Sequence, residues 1–104
     1  MAKSITIGNK KIEFPEEIKE TIYFENVVCV LYRKDKEISN NVDFFDLNGN
    51  KIFRINDIVK ARIPRGYDHI DKKNNSILIA ECEIGIIFEI NIEDKVVLNK
   101  TFVR

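Results

Sequence analysis

The chain has 104 residues, with 17 basic and 17 acidic side chains, one histidine, two cysteines and no tryptophan. A chain of this size buries roughly two thirds of its unfolded surface, enough for one self-sufficient domain over residues 1–104 without disulfide or metal staples. Its 44% hydrophobic content excludes a disordered segment, and its zero formal charge excludes nucleic-acid binding by overall basicity.

No uncharged apolar run approaches the roughly 20 residues that cross a bilayer, and Met1 to Ile7 lack the apolar core of a secretory leader, so a cytoplasmic location is expected. Cys29 and Cys82 lie in apolar surroundings, outside any CxxC pair, and read as reduced core residues. Ile and Val together number 26 against 7 for Leu and Ala, a bias toward side chains that fit a pleated sheet.

In chain order, Lys3 to Ile7 and Lys10 to Phe14 alternate around Gly8-Asn9 and predict a first hairpin. Pro15 ends that ladder, and Glu16 to Glu20 read as a turn or a single helical turn. Val27 to Tyr32 is apolar on both alternating faces, which marks a central strand covered on two sides. Arg33 to Asn41 is a polar connection, and Val42 to Leu47 is the next strand. Asn48-Gly49 then stands between two apolar runs and predicts a type I′ hairpin turn, which needs two positive φ angles. Asn56 to Asn75 lacks strand periodicity and is expected to be irregular, with Asn56 or Asp57 capping a short helix through Lys60. Ser76 to Glu83, Gly85 to Ile90 and Lys95 to Phe102 predict three consecutive antiparallel strands.

A pattern recurs. Val27 to Tyr32, Phe44-Phe45-Asp46 and Lys51-Ile52-Phe53 parallel Ile77 to Cys82, Phe88-Glu89-Ile90 and Lys95-Val96-Val97. Each copy resembles the blade of a β-propeller, but two blades cannot close a ring that needs at least about four. The expected fold is therefore all-β: one twisted antiparallel sheet or an open sandwich of seven or eight strands, with at most one short helix.

Motifs for catalysis are lacking. Asp68-His69-Ile70-Asp71 is the only close cluster of acid/base types, without a second histidine or a flanked nucleophile, and His69 reads as a solvated loop residue. The glycines are scattered singly, so no phosphate loop is present, and no metal or other cofactor is expected. The aromatic residues Phe44, Phe45, Phe53, Tyr23, Phe24 and Tyr32 read as core rather than as a base-stacking platform.

Charge is unevenly spread. Glu81, Glu83, Glu89, Glu93 and Asp94 occupy a segment without a single Lys or Arg, while Lys60, Arg62, Arg65, Lys72 and Lys73 outnumber Asp68 and Asp71 in the segment before it. Strand alternation places Leu78, Ala80 and Cys82 on one face, with Ile84 next in line, and Ile77, Ile79, Glu81 and Glu83 on the other. On the next strand Ile86, Phe88 and Ile90 point one way, Ile87 and Glu89 the other. Glu81, Glu83 and Glu89 then form an acidic surface bordered by Ile79 and Ile87, suited to a basic protein partner.

The frame Ile12-Glu13-Phe14-Pro15, Ile22 to Leu31 and Asn41 to Ile52 resembles small bacterial immunity proteins of polymorphic toxin and contact-dependent growth inhibition systems. The resemblance implies a non-catalytic cytoplasmic monomer that forms a heterodimer with a cognate toxin, often a basic nuclease domain, and blocks its active site without touching nucleic acid or membrane. Glu81, Glu83, Glu89, Glu93 and Asp94 are then the expected inhibitory surface, with the Asn56 to Asn75 segment, carrying Asp68 and Asp71, as a second contact. The alternatives are a β scaffold or regulatory subunit that pairs through exposed strand edges, and an OB-like nucleic-acid binder acting through Lys60 to Lys73.

Overall fold

The computed structural model describes residues 2–35 and 39–102. Among these residues the order is β1 (Ser4–Ile7), β2 (Lys10–Glu13), β3 (Ile18–Tyr23), β4 (Val28–Tyr32), β5 (Val42–Phe45), β6 (Lys51–Arg54), α1 (Ile55–Val59), β7 (Tyr67–Lys72), β8 (Ile77–Cys82), β9 (Ile86–Asn91) and β10 (Val96–Phe102). The first pair is a hairpin, and the rest form two four-stranded antiparallel meanders, β3-β4-β5-β6 and β7-β8-β9-β10. The fold is all-β with one short helix, as the composition implies, and the recurring pattern corresponds to the last three strands of each meander.

Burial follows strand alternation. Val28, Val30 and Tyr32 of β4, with Phe45 of β5, pack against Ile7 and Phe14 of the hairpin region. The intervening residues Cys29, Leu31, Val42 and Phe44 turn the other way, into a core shared with Ile70, Leu78, Ala80, Phe88 and Ile90 of the second meander. Every residue of β4 is buried for that reason. Phe14 meets Phe45 edge-on at 5.9 Å and Tyr32 at 5.3 Å, contacts that contribute about 1 kcal/mol each beyond area burial.

The described residues form ten strands where seven or eight are expected, and the additions are β3 and β7. Each contains a bulge, between Ile18 and Glu20 in β3 and between Tyr67 and His69 in β7. A bulge sets two residues against one, so Tyr67 and Ile70 both face inward at a spacing of three and the period of two disappears. The expected turn after Pro15 and the expected irregular stretch through Asn75 are corrected accordingly. The helix is present, but its N-cap is Arg54, whose backbone N–H donates to the Asp57 carboxylate at 2.8 Å; neither Asn56 nor Asp57 is the cap.

The Asn48-Gly49 turn also differs. Of that pair only Gly49 has a positive φ, 85°, so the connection is a three-residue loop ending in a left-handed glycine instead of type I′. Asp46 explains the change: its carboxylate accepts from the backbone N–H of Asn48 and of Asn50, both at 2.9 Å, and organises the loop around itself. Those hydrogen bonds, that of the Asn50 backbone foremost, hold the Asp46 carboxyl below the usual carboxylate range. The two turn tips nest, since a Cβ on Gly49 would lie 2.7 Å from the Ile7 carbonyl and one on Gly8 2.7 Å from the Leu47 carbonyl.

Two buried polar side chains organise the first meander, and one of them ties it to the second. Asn41 Nδ2 donates to the carbonyls of Tyr32 at 2.6 Å and Tyr67 at 3.0 Å, while its Oδ1 accepts from the Tyr67 N–H at 2.7 Å. Its amide thus acts as a strand partner between the two meanders. Asp43 is held by Arg54 Nε at 2.9 Å, and Arg54 Nη2 donates to the Tyr32 hydroxyl at 2.6 Å and the Asn40 carbonyl at 3.0 Å. Burial first, then the nearby Asp43 charge, pushes the Tyr32 hydroxyl up, so it stays protonated.

Asn41→Leu strands the Tyr67 N–H and two carbonyls in the interior, a loss of about 3 kcal/mol. For a domain of this length that lowers the melting temperature by roughly 10 to 20 °C, readable by calorimetry. Because the Asp46 carboxyl is depressed, its contribution is complete above the unfolded-state value and disappears as pH falls through the folded one. The melting-temperature gap between the wild type and Asp46→Ala therefore narrows between about pH 7 and about pH 2.

Candidate functional site

The outer face of the second meander is built by alternation. His69 on β7 stands opposite Glu81 on β8, which stands opposite Ile87 on β9; in the neighbouring row come Asp71, Ile79, Glu89 and Asn99. Leu78, Ala80 and Cys82 point into the core, as the sequence pattern requires, whereas Ile84 is exposed in the β8–β9 turn.

Asp68, Glu81 and Glu83 line a recess of about 230 Å³ at the β8–β9 turn, with Gly85 and Ile87 also in its wall. Each carboxylate arrives differently. The β7 bulge turns Asp68 out beside the sheet, and Glu81 follows from strand alternation. Glu83 begins the turn and is tied down twice: its N–H donates to the Gly66 carbonyl at 2.9 Å, and its Oε2 accepts from the Gly66 N–H at 2.7 Å. Lys34 Nζ lies 3.3 Å from Asp68 and 3.5 Å from Glu83, and the Asp68 hydrogen bond, foremost, pushes its own pKa up. Glu81 has no ion pair or hydrogen bond among the described residues. Among the described residues Lys34 alone forms ion pairs with these three carboxylates, and only with two of them, which leaves a concavity suited to a guanidinium or ammonium group.

The seven expected contact residues do not form one patch. Asp68, Glu81 and Glu83 converge on the recess. Asp71 and Glu89 lie farther along the same face, where Lys73 Nζ pairs with Glu89 at 2.8 Å and, by that hydrogen bond above all, lowers its pKa. Glu93 and Asp94 sit in the β9–β10 turn at the opposite end of the strands, Glu93 accepting from the Ser76 hydroxyl. Among the described residues no three His, Cys, Asp or Glu side chains converge as a metal-binding set.

His69 is not a solvated loop residue. It lies in β7, and its Nδ1–H donates to the Glu20 carboxylate, whose oxygens are 2.9 and 2.7 Å away. The basic segment is likewise divided: Lys72 donates to the Tyr23 carbonyl and covers the Phe24 ring, Lys73 pairs with Glu89, and Lys60, Arg62 and Arg65 line a separate cavity. The aromatic residues are core, except that Tyr23 is exposed. Lys34, the counter-ion of the recess, was not singled out by the sequence, because nothing near position 34 signals its approach to Asp68 and Glu83. Both cysteines are free and buried.

Fold and site together define a layered antiparallel β protein with an acidic recess on its outer sheet face. The chain belongs to a family described as a domain of unknown function (DUF7957), whose model matches residues 2–102. No curated protein and no solved structure matches it. Among the described residues no helix is long and apolar enough to cross a membrane.

Lys34→Met removes the ion-pair partner of Asp68 and Glu83. Exposed ion pairs contribute at most about 1 kcal/mol, so the melting temperature stays nearly unchanged. Affinity for a six-arginine peptide at low salt rises about threefold or more in isothermal titration.

Proposed function

We propose that this protein is a non-catalytic binding module that seats a basic protein partner on the outer face of its second meander. The observation that carries the reading is the convergence of Asp68, Glu81 and Glu83 on a recess walled by Ile87, with Lys34 the one ion-pair partner of their side chains among the described residues. Complementary charge accelerates encounter and excludes wrong partners, while the half-buried Ile79 and Ile87 beside the carboxylates supply apolar area for affinity.

The specific form of the proposal is an immunity protein. A toxin domain that grips nucleic acid presents a cationic substrate groove, and a carboxylate-lined recess is the complement of such a groove. The protein then blocks the toxin sterically and electrostatically, with Asp68 and Glu81 engaging its lysines or arginines and Asp71 and Glu89 extending the contact. A scaffold role finds support in β10, an edge strand whose Val96, Leu98 and Phe102 are exposed. The recess favours the first reading, because strand pairing has no use for clustered carboxylates.

The test reads the gene immediately upstream in the native genome, which the proposal requires to encode a toxin-like C-terminal domain, and co-expresses that domain with this protein; an upstream gene of another kind overturns the immunity reading. Co-expression restores growth, and Asp68→Lys combined with Glu81→Lys weakens the complex at least tenfold while retaining the wild-type melting temperature. An unchanged affinity in that folded variant overturns the assignment of the surface, and failure of the wild type to bind or protect overturns the immunity reading.

A further inference from the structure

On the other side of the β8–β9 turn lies a larger cavity of about 560 Å³, between the segment that follows α1 and the inner face of the second meander. Its floor is apolar, formed by Tyr67, Cys82, Ile86, Phe88 and Val97, with Val59 and Ile63 opposite. Lys60, Arg62, Arg65 and Lys100 complete the lining, and no acidic residue takes part. All four cations are exposed, and none has an ion pair among the described residues, Lys100 Nζ lying instead over the Phe102 ring at 5.4 Å, although the chain as a whole carries as many acids as bases. The volume is that of a small-molecule site. Ile63 and Ile84 are exposed at the same cavity, an apolar lining open to solvent.

These features select one kind of occupant. A neutral apolar ligand leaves the cations of the lining, Lys60, Arg62 and Arg65 foremost, without a counter-charge, and a nucleotide or inorganic phosphate leaves the apolar floor uncovered. We propose that the cavity binds an amphipathic organic anion, an acyl or aryl carboxylate whose apolar body lies on Phe88, Ile86 and Val97 and whose acid group meets Arg62, Arg65 and Lys100. The guanidinium groups offer the planar, paired donors that a carboxylate accepts. The site adjoins the acidic recess, Cys82 and Ile86 lining both, but its charged lining is basic where that of the recess is acidic.

Decanoate is the probe, with decanol as its uncharged counterpart, titrated into isotopically labelled protein and followed by amide chemical shifts. Decanoate produces saturable shifts concentrated at Ile63, Tyr67, Ile84, Ile86, Phe88 and Val97, and decanol binds at least tenfold more weakly. Arg62→Glu combined with Arg65→Glu lowers decanoate affinity at least tenfold; if that variant melts early, Lys100→Glu on the exposed strand serves the same purpose with a loss of about threefold or more. Shifts that fail to saturate or that scatter over the surface overturn the proposal. So do equal affinities for the acid and the alcohol, or undiminished binding in a folded charge-reversed variant.

Discussion

The joining of β3 to β7 is the constraint on which the rest of the molecule depends. Two four-stranded meanders each end in an edge strand, and an unpaired edge leaves backbone donors and acceptors without partners. Here the two edges are joined through side chains. Asn41 bonds both the N–H and the carbonyl of Tyr67, Glu20 accepts from the Ile70 N–H, Lys19 donates to the Asp68 carbonyl and Lys72 to the Tyr23 carbonyl. β3 and β7 share no backbone ladder, and these side-chain groups stand in its place, so that the shared apolar core is held closed along that line.

The recess inherits its geometry from this seam. Asn40 donates its N–H to the Arg65 carbonyl and accepts from Arg54, and Asn41 fixes Tyr67. The chain between Arg65 and Tyr67 is thereby clamped, and Gly66 offers its N–H and carbonyl to Glu83. Lys34, from the connection after β4, closes onto Asp68 and Glu83 from the first meander. The acidic surface is thus a product of both halves, although its carboxylates all come from the second.

Much of this was legible in the chain. The Ile and Val excess, the doubly apolar Val28–Tyr32 and the alternation through β8 and β9 specify an all-β fold and which face of the second meander carries Glu81 and Glu89. What escaped was whatever departs from a period of two or depends on long-range pairing. The bulges hid β3 and β7; Asp46 redirected the Asn48-Gly49 turn through hydrogen bonds that propensity does not encode; and Lys34 and Glu20 acquire their partners only when the meanders close. Neighbouring carboxylates in sequence were also separated in space, since one strand length divides Glu83 from Glu93.

The formal charge of zero conceals a segregation that the fold creates. Glu81 and Ala80 are adjacent, yet Glu81 lines the acidic recess and Ala80 is buried in the core, because successive strand residues face opposite sides. Lys34 and Lys73 cross to the outer face and neutralise part of it; Lys60, Arg62 and Arg65 stay on the inner side, carried by the segment that leaves α1 through the left-handed Lys60. At physiological ionic strength charges screen one another over about 8 Å, so a ligand on either face responds to the local set and little to the total. A neutral chain can in this way carry an acidic and a basic surface at once, and that segregation follows from the same alternation that builds its core.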